Sequence, residues 1–334
     1  MRRSVLSLQD SAVRSGLTPW SINDVCRNLL PGHGNLNLDD DGILAREWRR
    51  VLPRITDQLL DAVVYMYASE EDARAGIRTG GSGFLATLPI PGHEPSLQWF
   101  VVTNRHVVDG GFTVARMTSR EEDVVVRNCG PAESWSSPDE GDDLAVWPLQ
   151  SQVGTIDSNP SSVAVHHFVK DNWPNVGVGD ECVMLGRFMG LDGLERNVPT
   201  ARFGNVSMRP VPAQAERTPA EFFYVETRSQ AGFSGSPVFV YYEITNVQVS
   251  DAFAFSTHGP TDLRAKVHEH VNFYLLGVDS SHLPRVAKAY QRNPRKEIPL
   301  DYDIEIGSGI LEVVPAWKLR RLLEREVEEM AKKL

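Results

Sequence analysis

The stretch GFSGSPVFVYY (232–242) carries the decision about the fold. It sets Ser234 between glycines, ends a turn at Pro237 and runs directly into an apolar, aromatic series with strand character. The glycines let backbone N–H groups approach a reacting carbonyl without obstruction by a Cβ. A serine hydroxyl is almost wholly protonated at neutral pH, so a nucleophilic Ser234 needs a base from elsewhere in the chain. WFVVTNRHVVDGG (99–111) offers one, because His106 follows an apolar strand and opens a short turn. An acid to hold the imidazole tautomer is offered by GDDLAVWPL (141–149), where Asp142 and Asp143 stand directly before another strand. Alone, each piece reads as a tight turn, a surface histidine or a solvated acidic pair. The order His, acid, Ser, each beside an apolar strand, is the order of a nucleophilic triad.

Working outward, the surrounding sequence is strand-rich. AVVYMYAS (62–69), GFLATL (83–88), DVVVRN (123–128), ECVMLGRF (181–188), ARFGNVSM (201–208), EFFYVETR (221–228) and FYLLGV (273–278) are short β-type runs separated by turn residues. The 26 glycines and 21 prolines of this 334-residue chain suit many turns better than a helical bundle. A turn-rich segment, 157–180, is placed to carry the crossing between two halves. Two helical patterns lie outside this texture. In residues 1–60, Ser21 and Asp24 resemble a capping box before Ile22, Val25 and Leu29, and a second pattern runs from Ile43 through Trp48 to Leu52 before Pro53 interrupts it. At the other end Pro315 precedes AWKLRRLLEREVEEMAKKL (316–334), where Leu319, Leu322, Leu323, Val327 and Met330 mark one face of a helix.

The net charge of −10 argues against a general binder of nucleic acid or of an anionic membrane. No segment has the apolar length of a signal core or a membrane span. Cys26, Cys129 and Cys182 are widely spaced and unpaired in pattern, so a reducing, cytoplasmic setting is expected. NLDDDGILAREW (37–48) approaches a calcium loop, but Trp48 stands where the closing carboxylate belongs. The His268/His270 and His166/His167 pairs read as strand and linker residues. No metal or cofactor is expected.

Five stretches, GGSGFLATL (80–88), TNRHVV (103–108), DDLAV (142–146), GFSGSPVF (232–239) and LLGVDSS (275–281), resemble the chymotrypsin-like (trypsin-fold) serine peptidases, in particular the disulfide-free bacterial branch with the HtrA-type proteases. The resemblance spans roughly 61–334 as local motifs. It implies a mainly β fold of two six-stranded antiparallel barrels, the first at about 61–160 and the second at about 175–314, with a C-terminal helix at 315–334 and a small helical accessory segment at 1–60. It implies His106 as general base, Asp143 as orienting acid (the acid of the family directly precedes an aliphatic-Ala pair, here Leu144-Ala145) and Ser234 as nucleophile. The amides of Gly232 and Ser234 would form the oxyanion hole. Gly80, Gly81 and Gly83 would have a structural role in the early turn.

Secreted members place an Asp before the serine to receive a new N-terminal amine; Phe233 occupies that position here, so activation by that ion pair is not expected. Control would then come from elsewhere, with residues 1–60 docking an activating or adaptor protein or simply packing. The substrate pocket would draw on Arg228 and on Asp279, Ser280, Ser281 and His282. An inward Arg228 or His282 would favour an acidic P1 side chain, an inward Asp279 a basic one, and mutual pairing something small or polar. The acidic net charge tilts the expectation to basic P1. The activity implied is limited intracellular cleavage of protein or peptide substrates; the alternative is a catalytically silent trypsin-fold scaffold.

Overall fold

The computed structural model describes residues 54–119, 123–139, 141–149, 161–171, 175–187, 196–210, 221–227, 232–249, 265–293 and 296–333. The expected helices of the 1–60 segment, the calcium-loop-like stretch, Cys26 and Arg228 lie outside these residues, apart from the short helix α1 (Asp57–Asp61). Everything needed for the candidate site falls within one compact unit, residues 54–242 and 272–334.

The fold is mainly β, with a curled sheet in its first half and a closed six-stranded barrel in its second. Its first half is a seven-stranded sheet built from β1 (Val63–Tyr67), β2 (Thr79–Pro89), β3 (Leu97–Thr103), β4 (Val114–Thr118), β5 (Val124–Asn128), β6 (Ala145–Leu149) and β7 (Val163–Ala164). The hydrogen-bonded order is β5-β4-β1-β2-β3-β6, and β7 pairs with β2 in parallel. The sheet curls without a closing ladder among the described residues. Instead the chain beyond β5 returns to the far edge, where Ser136 and Val146 of β6 exchange both backbone hydrogen bonds at 3.0 and 2.9 Å. The first of the two expected six-stranded barrels thus takes the form of a curled sheet whose edges are joined, among the described residues, by one bridge. Trp135, immediately before that bridge, joins the sheet's apolar core and anchors the returning segment.

The second half is a closed barrel in the order β10-β13-β12-β11-β8-β9, formed by β8 (Glu181–Gly186), β9 (Thr200–Met208), β10 (Phe223–Glu226), β11 (Pro237–Val249), β12 (Ala265–Asn293) and β13 (Lys296–Pro315). Its core gathers Cys182 and Met184 of β8, Val206 of β9, Val225 of β10, and Val238 and Val240 of β11. Helix α4 (Ala316–Ala331) buries Leu319, Leu322, Leu323 and Val327 on one stripe, and Trp317 meets Phe223 of β10 edge-to-face with ring centroids 5.5 Å apart. Two short helices, α2 (Glu70–Ala75) and α3 (Arg105–Asp109), complete the first half. α3 is the turn that His106 opens.

Candidate active site

His106 and Asp143 are joined twice. The His106 amide donates to Oδ1 of Asp143 at 3.0 Å, and ring Nδ1 lies 2.7 Å from Oδ2. The amide bond exists because His106 is in the first turn of α3, where backbone N–H groups have no helical partner. Asn104 adds a third tie by donating from Nδ2 to the Asp143 carbonyl at 2.8 Å. Burial acts to raise the Asp143 carboxyl, but the bonds from the His106 ring and amide and from Ser280 outweigh it and hold the carboxyl below its ordinary value. With Asp143 ionised, Nδ1 carries the proton and Nε2 presents its lone pair. The same hydrogen bond raises the His106 pKa above 6.5, against the opposing effect of burial. The imidazole side chain keeps 52% of its surface open, so its free edge is reachable from solvent.

The neighbouring acid is excluded by position. Asp142 is turned away from the imidazole and pairs with Lys318 of α4 at 2.9 Å. A one-residue step along the chain therefore separates two carboxylates with different partners, which the tight Leu144 N–H to Asp142 carbonyl bond of 2.7 Å makes geometrically abrupt.

Ser234 stands in a turn in which the Ser236 amide donates to the Phe233 carbonyl at 2.8 Å. Gly235 at the third position has φ +87°, the left-handed conformation that a type II turn demands and that favours glycine. The space demands it too, because a Cβ there would collide with the Ser82 carbonyl and sit 3.2 Å from the Asn104 nitrogen. The serine turn is thus seated directly against the segment that carries His106. Gly81 permits the same approach: a Cβ at that position would lie 2.9 Å from Val107 and 3.2 Å from the Ser234 carbonyl oxygen.

Ser82, between those glycines of β2, is a site residue that motif reading passes over. Its amide donates to the Ser234 carbonyl at 2.9 Å and its hydroxyl to the Gly232 carbonyl at 2.8 Å. It also accepts from the Arg187 amide at 3.0 Å. One residue of the first half therefore fixes two carbonyls of the serine loop. Fixing those carbonyls fixes the peptide planes around Ser234, whose own amide and that of Gly232 make no hydrogen bond within the described residues. Phe233 supplies the second anchor. Its side chain is fully buried in the second barrel, beneath the Arg202 guanidinium at 4.8 Å from the ring centroid. Apolar burial, worth about 2–3 kcal/mol for such a ring, holds the loop in place.

The pocket residues expected from the strand after the serine take different directions. The β12–β13 register shifts between Asp279 and Ser281, which is a bulge at Ser280. The bulge aims the Ser280 hydroxyl at Asp143 Oδ2, to which it donates at 3.2 Å, so Ser280 supports the acid. Ser281 donates to the Glu312 carboxylate on the adjoining strand. His282 is opposite Leu311, and burial lowers its pKa. Asp279 is fully buried, its backbone bonded to Gly235 and Ser236, and neither carboxyl oxygen has a hydrogen-bond partner among the described residues. Desolvation first, and then the Asp143 charge, raises its pKa well above the ordinary carboxyl value. Burial without a partner disfavours the charged form of Asp279, and the carboxyl on which the basic-P1 expectation relied is not exposed. The two acids have been pushed apart, leaving Asp143 as the anion beside His106.

A stability prediction follows from Asp279. The unfolded chain releases this proton near pH 3.9, whereas the folded state retains it, so stability falls as pH rises above that value and the loss is absent below it. Asp279→Val is expected to raise stability at pH 7 by about 1–3 kcal/mol, the usual cost of an unsatisfied buried polar group. Urea unfolding should show the gain shrinking towards pH 4. A variant less stable than wild type at pH 7 would contradict the assignment.

Among the described residues no cluster of His, Cys, Asp and Glu could hold a metal ion. Cys129 and Cys182 are buried free thiols, both pushed up to about 12 by burial, which makes them poor nucleophiles.

A scan against protein-family profiles matches none, and a search of curated protein sequences finds no relative. Solved structures do align with the chain. The MamO protease domain of Magnetospirillum magneticum is 13% identical over 79% of this chain and 96% of its own, with a TM-score of 0.42. Deg5 is 19% identical over 55% of this chain and 75% of its own, with a TM-score of 0.37. The HtrA-type protease AlgW with a tripeptide is 14% identical over 81% of this chain and 62% of its own, with a TM-score of 0.42.

Proposed function

We propose that the chain is a serine endopeptidase that cleaves peptide bonds through His106, Asp143 and Ser234. The observation that carries this reading is the doubly bonded His106–Asp143 pair with the Ser234 turn packed against its supporting segment. His106 Nε2 takes the Ser234 proton as Oγ attacks the scissile carbonyl carbon, and the carbonyl π electrons move to oxygen. The amides of Gly232 and Ser234 are the donors we assign to that oxyanion, each worth about 10²–10³ in rate. The imidazolium, stabilised by Asp143, then gives its proton to the leaving amine as the C–N bond breaks. Water, deprotonated by the same ring, hydrolyses the acyl ester and restores Ser234.

The physiological role we assign is limited cleavage of protein substrates in a reducing compartment, in keeping with the two buried free thiols. A silent scaffold would need no ionised acid at His106 and no anchored serine loop, so the geometry favours the enzyme.

The pH dependence is a direct test. His106 must be neutral to accept the proton, and its pKa is raised, so kcat/KM should climb with pH through a midpoint above 6.5. Hydrolysis of fluorescein-labelled casein between pH 5 and 9 measures it. A midpoint below 6.5, or a flat profile, would argue against His106 as the base.

A further inference from the structure

We propose that Lys318 of α4 is a positioning residue for Asp143, acting through Asp142. The inference rests on the peptidase reading and extends it to the C-terminal helix. Two basic side chains seven residues apart on α4, hence on one face, reach the loop that carries the acid. Lys318 Nζ meets Asp142 Oδ1 at 2.9 Å, with side-chain exposures of only 12% and 4%. Arg325 donates to the Ser137 carbonyl at 2.9 Å and pairs with Asp139 at 3.2 Å. The same helix is rooted in the second barrel by Trp317, which packs on Phe223 in that barrel's core. It therefore ties the acid loop of the first half to the core of the second.

The two contacts differ in kind. Arg325 and Asp139 are exposed, so their pairing is screened by water and constrains little. Lys318 and Asp142 are buried, and within the described residues Asp142 Oδ2 has no further partner. Removing the ammonium takes away the bond that tethers Asp142 to α4, and with either a carboxylate or an amide at 142 the loop is then free to turn that side chain towards water. Asp143 cannot stay still when that happens. The Asp142 carbonyl and the Leu144 amide close a tight turn around it, and Leu144 is fully buried. A rotation at Asp142 is transmitted to the Asp143 carboxylate, whose surroundings are the His106 ring and amide, the Ser280 hydroxyl and the buried Asp279, with Asp109 acting on His106.

The test uses the full chain and the rate at which a fluorophosphonate acylates Ser234, measured from pH 5 to 9. Lys318→Met should slow acylation about tenfold to hundredfold, the effect of misplacing a catalytic group by roughly an ångström, and move the ascending limb to lower pH. Lys318→Arg should retain the wild-type limb and a rate within about threefold. The neutral pair Asp142→Asn/Lys318→Met removes the buried charge and should fold with wild-type thermal stability, yet keep the slow rate and displaced limb. That pair carries the test if Lys318→Met alone does not fold. A neutral pair with the wild-type rate and limb would show that Lys318 only balances a charge, and would overturn the inference. Ser234→Ala on the same preparation separates the two levels: if it leaves labelling unchanged, the peptidase reading itself fails.

Discussion

Ser234→Ala is expected to lower casein hydrolysis about 10⁵–10⁶-fold, to the level set by binding and oxyanion donors alone. The loss should be chemical. The turn that carries Ser234 is shaped by Gly235 at φ +87° and by the Ser236 amide bond to Phe233, and neither depends on the hydroxyl. The one bond through which residue 234 meets β2 uses its backbone carbonyl and the Ser82 amide at 2.9 Å. Phe233 remains buried beneath Arg202. The variant should therefore melt with the wild type while its hydrolysis disappears. A folded Ser234→Ala protein that still cleaves casein at the wild-type rate would place the nucleophile elsewhere.

Asp143→Asn is expected to cost about 10⁴-fold, more than loss of a single negative charge near the site would suggest. The reason lies in the two bonds. Oδ1 accepts from the His106 amide, so an asparagine at 143 keeps its carbonyl there and turns its NH₂ to the ring. The NH₂ then donates to Nδ1 across the distance of 2.7 Å now held by the carboxylate. Nδ1 becomes an acceptor, the proton moves to Nε2, and the ring can no longer take a proton from Ser234. The pH midpoint should fall at the same time, because the bond that raises the His106 pKa is gone. Measuring rate and midpoint together checks the account; a variant within tenfold of wild type would contradict it.

Much of the architecture was legible because its signals are local. The near-continuous apolar runs VVYMY, WFVVT and ECVML read as buried strands, and the 3.6-residue stripe of 316–331 reports which face of the helix meets a core. The adjacency of His106 and Asp143 could be anticipated because both lie next to strands, β3 and β6, that pair directly. What stayed hidden depends on contacts between halves. Nothing around Ser82 marks it as the residue that holds Gly232 and Ser234, since its partners are 150 and 152 positions away. The Ser280 bulge breaks the alternation on which any reading of 279–282 relied, sending Ser280 to Asp143 and leaving Asp279 buried. The resemblance already implied Asp143 over Asp142, but the partner that holds Asp142, Lys318 of the last helix, was not legible. The curled first sheet, closed at Ser136 and Val146 by a bridge in place of a ladder, is a tertiary outcome of the same kind.

The central claim, that Ser234 is a nucleophile activated by the His106–Asp143 pair, is tested most directly by covalent labelling. The native chain would be treated with a fluorophosphonate probe and the modified residue identified by peptide mass spectrometry. One adduct per chain is expected, on Ser234, lost in Ser234→Ala and strongly slowed in His106→Ala. A folded protein that takes no label, or that carries it on another serine, would contradict it.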